Sequence, residues 1–199
     1  MYSHGPVIRP LYPQPCQIKG SSIAARLTWI RLHHGEGGIE ALATEVSPEL
    51  GEILASGADV AAWYLMEHFV ELNQAIDAHF GEGDLAMVRQ LGRYAAEANL
   101  TTVFRLFLKA GTVNWILSRA SRLWSMHYNS GQLLVREFPD NEVELEIRDF
   151  AIPSRVHCLS VQGWTERAAE LTGAREVHLQ EVDCRARGDE RCRFRVEWL

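Results

Sequence analysis

Glu142-Val143-Glu144-Leu145-Glu146-Ile147-Arg148 alternates charged and apolar side chains without a break. A repeat of two is the period of a β-strand with one face buried and one in water, so Val143, Leu145 and Ile147 are expected to face a core. Before Gly131 the period is different. Positions 62, 65, 66, 69, 72, 73, 76 and 80 are apolar except Asn73, and Val113, Ile116, Leu117, Ala120, Leu123 and Trp124 recur at three and four. That is helical spacing. The period therefore changes at Gly131, and the rest of the chain can be read outward from that point.

Downstream, Gln132 to Phe138 supplies a neighbouring strand, with Pro139-Asp140-Asn141 as the hairpin turn. Ser154 to Leu171 reads as a helix with Val161, Trp164, Ala168 and Leu171 on one stripe, closed by Gly173. Two more strands, Arg175 to Asp183 and Arg191 to Trp198, follow around an Arg-Ala-Arg-Gly-Asp turn. Upstream, Gln17 to Gly20 reads as a short strand. Ser21 or Ser22 then caps a helix carrying Ile23, Leu27, Trp29 and Ile30, which the cluster Gly35 to Gly38 stops. A short helix is expected over Ile39 to Val46, another after Ser47-Pro48, and Gly81-Glu-Gly83 separates two more, with Asp84 capping the second. The first 16 residues hold four of the seven prolines and read as an extended arm. The expected fold is α+β: a single domain over 17–199, its helical N-terminal two-thirds packed on a C-terminal antiparallel sheet of order strand, strand, helix, strand, strand.

Composition bounds the function. The 199 residues are 47% apolar, enough for a substantial core, and 20 basic against 26 acidic side chains give a net charge of −6. Such a balance offers no general attraction to phosphate backbones, so nucleic acid is not an expected partner. No run approaches the roughly 20 apolar residues of a membrane span. The start, Met-Tyr-Ser-His-Gly-Pro, has neither a basic nor an apolar targeting region, and a reducing cytoplasm is the expected location. Nucleotide-binding, serine-hydrolase and metalloprotease signatures are absent, so no enzymatic activity is expected.

Three of the four cysteines fall in the last 42 residues. Cys192, Phe194, Val196 and Trp198 share the inward face of the last strand. In the strand before it, the period that turns Val177 and Leu179 inward also turns Glu181 inward, where an unpaired carboxylate is costly. Cys184 lies at the strand end opposite Cys192, and Cys158 sits in the first turns of the covering helix. Three thiols and a carboxylate converging would suit a tetrahedral Zn²⁺ site without an open position. A cross-strand disulfide between Cys184 and Cys192, or inert buried thiols, are the other readings.

The run Cys184-Arg-Ala-Arg-Gly188-Asp189-Glu-Arg-Cys192-Arg-Phe194, with Cys158 ahead of Gly163-Trp164 and Glu181 three before Cys184, resembles the closing signature of the 4-vinyl reductase domain family. That family includes the sensor domains of phenol-responsive transcription activators. Over 131–199 the resemblance implies a structural Zn²⁺ held by Cys158, Glu181, Cys184 and Cys192. From Ile18-Lys-Gly20 through Trp63-Tyr64 and Gly92-Arg93 to Trp124, the chain more loosely resembles an uncharacterised group of myxobacterial proteins ending in this domain.

The resemblance further implies a small hydrophobic or aromatic ligand between the helices and the sheet. Trp124, His127 and Tyr128 are its candidate contacts, with plain core packing as the alternative. The broader superfamily includes haem-based nitric-oxide sensors, but their Tyr-x-Ser-x-Arg signature is half met by Tyr128-Asn-Ser130-Gly-Gln132, and haem is not expected. The expected function is a non-enzymatic, zinc-stabilised sensory domain acting through a homodimer or a protein partner, since no output domain follows Trp198. An adaptor of trafficking-complex type with a filled core is the alternative, and a tetrapyrrole-pathway accessory role rests only on the family's name. The arginines at 185, 187, 191, 193 and 195 are expected to form a charged face protecting an edge strand.

Overall fold

In the computed structural model, which describes residues 14–103, 119–139 and 141–199, a short strand, β1 (Gln17–Lys19), leads directly into a long helix, α1 (Gly20–Ala43). Lys19 occupies the cap position, not a serine, and Gly35 at φ 70° and ψ −172° kinks α1 where the glycine cluster was expected to stop it. The separate helix expected from Ile39 is the continuation of α1. Next comes α2 (Pro48–Ser56), with Ser47 and Pro48 at its start as their order predicts. The Ser47 hydroxyl, however, donates to the Glu71 carboxylate at 2.8 Å and caps nothing.

Strand β2 (Trp63–Leu65) pairs antiparallel with β1 inside a stretch that reads as helical. Three residues are too few to show a period of two. Helix α3 (Met66–Phe80) is followed by α4 (Ala86–Val103) and α5 (Ala120–His127). Asp84 accepts the Ala86 N–H, while Asp77 reaches from α3 to accept those of Leu85 and Met87. Most of the proline-rich arm, the part of the expected helix that carries Val113, Ile116 and Leu117, and Asp140 of the hairpin turn lie outside the described residues.

The C-terminal part holds β3 (Gln132–Phe138), β4 (Glu142–Arg148), α6 (Arg155–Leu171), β5 (His178–Asp183) and β6 (Cys192–Glu197). The four strands form one antiparallel sheet in the order β3-β4-β6-β5. The protein is α+β, as the change of period indicates. Val143 faces Val196, Leu145 faces Phe194 and Ile147 faces Cys192 across the β4–β6 pair, all buried. On the other face, Arg195 pairs with Glu142, and Arg193 with Glu144 and Asp183. Strand β6 is thus interior to the sheet, and its arginines bind neighbouring strands where edge protection was expected.

Helix α6 packs most extensively on α4. Gly92 and Gly163 make the crossing close: a Cβ on Gly163 would overlap the Arg89 carbonyl oxygen, and one on Gly92 the Ser160 carbonyl oxygen. Arg89 pairs with Glu166, Arg93 with Glu170, and Arg167 with Glu97 along the same interface. Among the described residues no helix is long and apolar enough to cross a membrane.

Candidate functional site

A cavity of about 80 Å³ lies where α1, α3, α4, α5 and α6 meet the buried face of β3 and β4. Its wall is mostly apolar, from Phe69 of α3 and Ala95 of α4 to Leu133 and Leu145 of the sheet. Val161, Trp164 and Ala168, the apolar stripe of α6, also line it, together with Ser160 and Thr165 of the same helix. Trp124, His127 and Tyr128, the ligand candidates from the sequence, all stand on its wall. Trp124 donates its indole N–H to the Ser130 carbonyl at 3.0 Å. It packs with Tyr128, Phe150 and His157 into a four-ring cluster, His157 lying flat on Phe150 at 4.3 Å.

Burial sets the protonation of these groups. It raises the Tyr128 hydroxyl above its ordinary range, so the phenol is neutral. It pushes the His157 imidazole down to about 3. His127 is lowered by burial and then by the charge of Lys19.

Arg26, which sequence reasoning missed, is the polar centre of the wall. It is 2% exposed and donates to Asn73 Oδ1 at 3.1 Å, Ser160 Oγ at 2.7 Å and the Ser22 carbonyl, with its guanidinium over the Phe69 ring. Every one of these partners is neutral. Burial draws its pKa down to about 10, which still leaves it charged at neutral pH. The signal was present: Arg26 stands three after Ile23 and four before Ile30, a charge inside an apolar stripe.

The second constellation is the thiol cluster. Cys158 of α6, Cys184 after β5 and Cys192 of β6 bring their sulfurs within 4.8 Å of one another, all buried and all reduced. Cys158 lies 3.6 Å from Cys184 and 3.8 Å from Cys192. Hydrogen bonding from Cys158 and from the Arg185 amide pulls Cys192 down to about 6, while Cys158 moves up. The structure places Glu181 elsewhere. Its carboxylate pairs with Arg155 at 2.6 Å and Arg187 at 2.6 Å and accepts from Gln162 at 3.2 Å. Among the described residues Arg155 touches both groups, reaching the Cys184 sulfur at 3.3 Å.

No protein-family model matches the chain, and no curated protein matches it. The solved structures do. An H-NOX protein from S. oneidensis in the Fe(II)NO state superposes with a TM-score of 0.69 at 13% identity, covering 92% of this chain and 99% of that one. An oxygen-binding H-NOX domain related to soluble guanylate cyclases gives 0.67 at 11%, covering 91% and 95%. The H-NOX domain from Shewanella oneidensis in its Fe(II)CO state gives 0.69 at 14%, covering 92% and 99%. The fold is therefore that of H-NOX domains.

Two expectations are corrected by this finding. The resemblance to the 4-vinyl reductase domain and its myxobacterial relatives gives way to the H-NOX fold, which covers the chain almost end to end. The cysteine spacing behind that resemblance spans the turn between β5 and β6, which Gly188 closes in the left-handed region. The structural Zn²⁺ falls with that resemblance, since these neighbours are described by haem iron and its ligands.

Haem, which the fold implies, does not fit the residues present. The cavity of about 80 Å³ is well below the roughly 300 Å³ at which pockets begin to hold drug-sized ligands. Trp124, 5% exposed, and its ring neighbours fill the adjoining interior. His127 is the one imidazole among the lining residues described, and residues 104–118 contain no histidine. The Ser130 hydroxyl is engaged with the Ala151 N–H, and Gln132 is exposed.

Proposed function

We propose that this chain is a non-enzymatic sensory module of the H-NOX fold that holds a small hydrophobic ligand, without haem, in the cavity between its helices and its sheet. Its signal passes on through a second copy or a protein partner. The observation that carries the reading is the cavity itself: an apolar wall with a few convergent polar groups is the usual form of a small-molecule site. A filled-core adaptor lacks its premise. In this reading Trp124, His127 and Tyr128 contact the ligand, and they are placed to report it because α5 packs on β3 and touches β1.

The test uses benzyl alcohol as a neutral probe on the full chain. It is expected to raise the melting temperature and to shift the methyl resonances of Leu133 and Leu145. Ala168→Leu, which fills the cavity from α6, should abolish both effects while leaving the fold intact. No shift in the wild type at saturating probe overturns the reading. Sedimentation or light scattering of the same sample decides between a second copy and another partner.

The thiol cluster supports a second, separate reading. Three buried sulfurs within 4.8 Å match the preference of a thiophilic cation for thiolate ligands. We propose Cys158, Cys184 and Cys192 as its ligands, with Glu181 supplying an oxygen once it leaves Arg155. Cobalt(II) added anaerobically should give a thiolate charge-transfer band that Cys158→Ser weakens. Absence of the band in the reduced wild-type protein rules the ligand set out.

A further inference from the structure

Among the described residues Arg26 is a charge without a counter-ion. Three hydrogen bonds from them, all to neutral acceptors, serve a guanidinium with five N–H donors. None of their carboxylates contributes to its electrostatic surroundings, in which the titratable neighbour is Tyr128, itself held neutral. The stretches outside the described residues change little, because 1–13 and 104–118 contain no Asp or Glu and only Asp140 remains. Burying an unpaired cation costs several kcal/mol. Elsewhere among the described residues the buried carboxylates are compensated: Glu166 pairs with Arg89, Glu181 with Arg155 and Arg187, and Asp77, 1% exposed, accepts the backbone N–H groups of Leu85 and Met87. Arg26 is the one fully buried arginine or lysine among them, and it stands on the wall of a mostly apolar cavity.

On the reading that the cavity holds a ligand, we propose that this ligand is a small monocarboxylate with an apolar body, its carboxylate pairing with Arg26. Fork-shaped donors and a planar carboxylate match in two parallel hydrogen bonds, which is why arginine outperforms lysine at such sites. Ser160 and Asn73 hold the guanidinium by Nη2 and Nε, fixing its plane before the ligand arrives. Trp164, Leu133, Leu145 and Phe69 then receive the apolar body. The volume limits its size. At about 80 Å³ the cavity is smaller than the roughly 150 Å³ of an engineered cavity that takes benzene, so a short aliphatic acid or a single ring with small side-chain adjustment is the upper bound.

The experiment compares three probes of one shape on the full chain by calorimetry and methyl NMR: benzoate, benzyl alcohol and benzylammonium. Butyrate serves as the shorter acid. The wild type should bind benzoate or butyrate about tenfold or more tighter than benzyl alcohol, and benzylammonium not at all. Arg26→Met, which keeps the length of the side chain and removes its charge, should erase the preference while retaining the alcohol. Equal binding of acid and alcohol overturns the proposal and makes Arg26 a strut between α1, α3 and α6, with the ligand cavity intact. Failure of all four probes overturns the cavity reading and this proposal together. If Arg26→Met does not fold, the wild-type comparison decides alone, with Ser160→Ala expected to weaken acid binding and spare the alcohol.

Discussion

His127 ends α5 on the cavity wall with its imidazole largely buried and Lys19 near enough to oppose its protonation. A histidine so placed takes up a proton less readily folded than unfolded. Its contribution to stability is therefore complete above the ordinary value of about 6.5 and is lost as the pH falls below it. Titration by NMR should find the His127 midpoint below the ordinary histidine value of about 6.5, and Lys19→Met should bring it part of the way back. A midpoint at or above that ordinary value refutes the assignment. Trp124 is predicted to matter more for stability: truncation to alanine should cost about 3–5 kcal/mol in urea unfolding, because a nearly buried indole and its bond to the Ser130 carbonyl are both lost. Residues of this kind were legible, since an aromatic in a helical stripe announces its own burial. Arg26 interrupts its stripe visibly, yet a charged side chain there is usually assigned to the surface, and only the tertiary arrangement shows that α3 and α6 close over it.

Between elements, the crossing of α4 on α6 carries two kinds of constraint. The glycines let the backbones approach, so Gly163→Ala must push the helices apart, at an expected cost near the upper end of about 1–3 kcal/mol. Gly37→Ala, in α1 with no positive φ and nothing near the added carbon, is the control. The ion pairs tie the same helices. Glu166→Gln should cost about 1–2 kcal/mol, toward the low end for a charged hydrogen bond because Arg89 is 41% exposed on its side chain. A loss that vanishes when Arg89 is also removed identifies the pair as the cause. The sheet was readable from one strand because its two faces differ so sharply in polarity. Strand β2 was not, since its three residues follow an apolar run that suits a helix equally well, and the pairing that makes it a strand comes from β1 far upstream.

For the whole molecule, the H-NOX fold persists at 11–14% identity, while the residues around the cavity set its contents. Haemin mixed with the purified chain is accordingly expected to give no stoichiometric Soret band, and no band should be displaced by carbon monoxide after reduction. A sharp, saturable band at one equivalent would show that the rings around Trp124 open far more than their packing indicates. The α+β architecture could be read from periodicity, but the H-NOX fold could not, because the cysteine spacing across the β5–β6 turn pointed to different relatives. One small contact ties two walls of the cavity together. Asn129, just after the cavity residues, accepts the Gln17 N–H at 2.7 Å and donates to the Pro15 carbonyl, while its own N–H reaches the Gln17 carbonyl. Tyr128 also bridges to Ile18. Two walls of the cavity, α1 with Arg26 and the end of α5, are thus fastened at one knot, and a displacement that spreads them must strain that knot. The Gln17 and Asn129 amides are natural gauges of occupancy: their solvent exchange should slow when the cavity is filled by a ligand that draws its walls together.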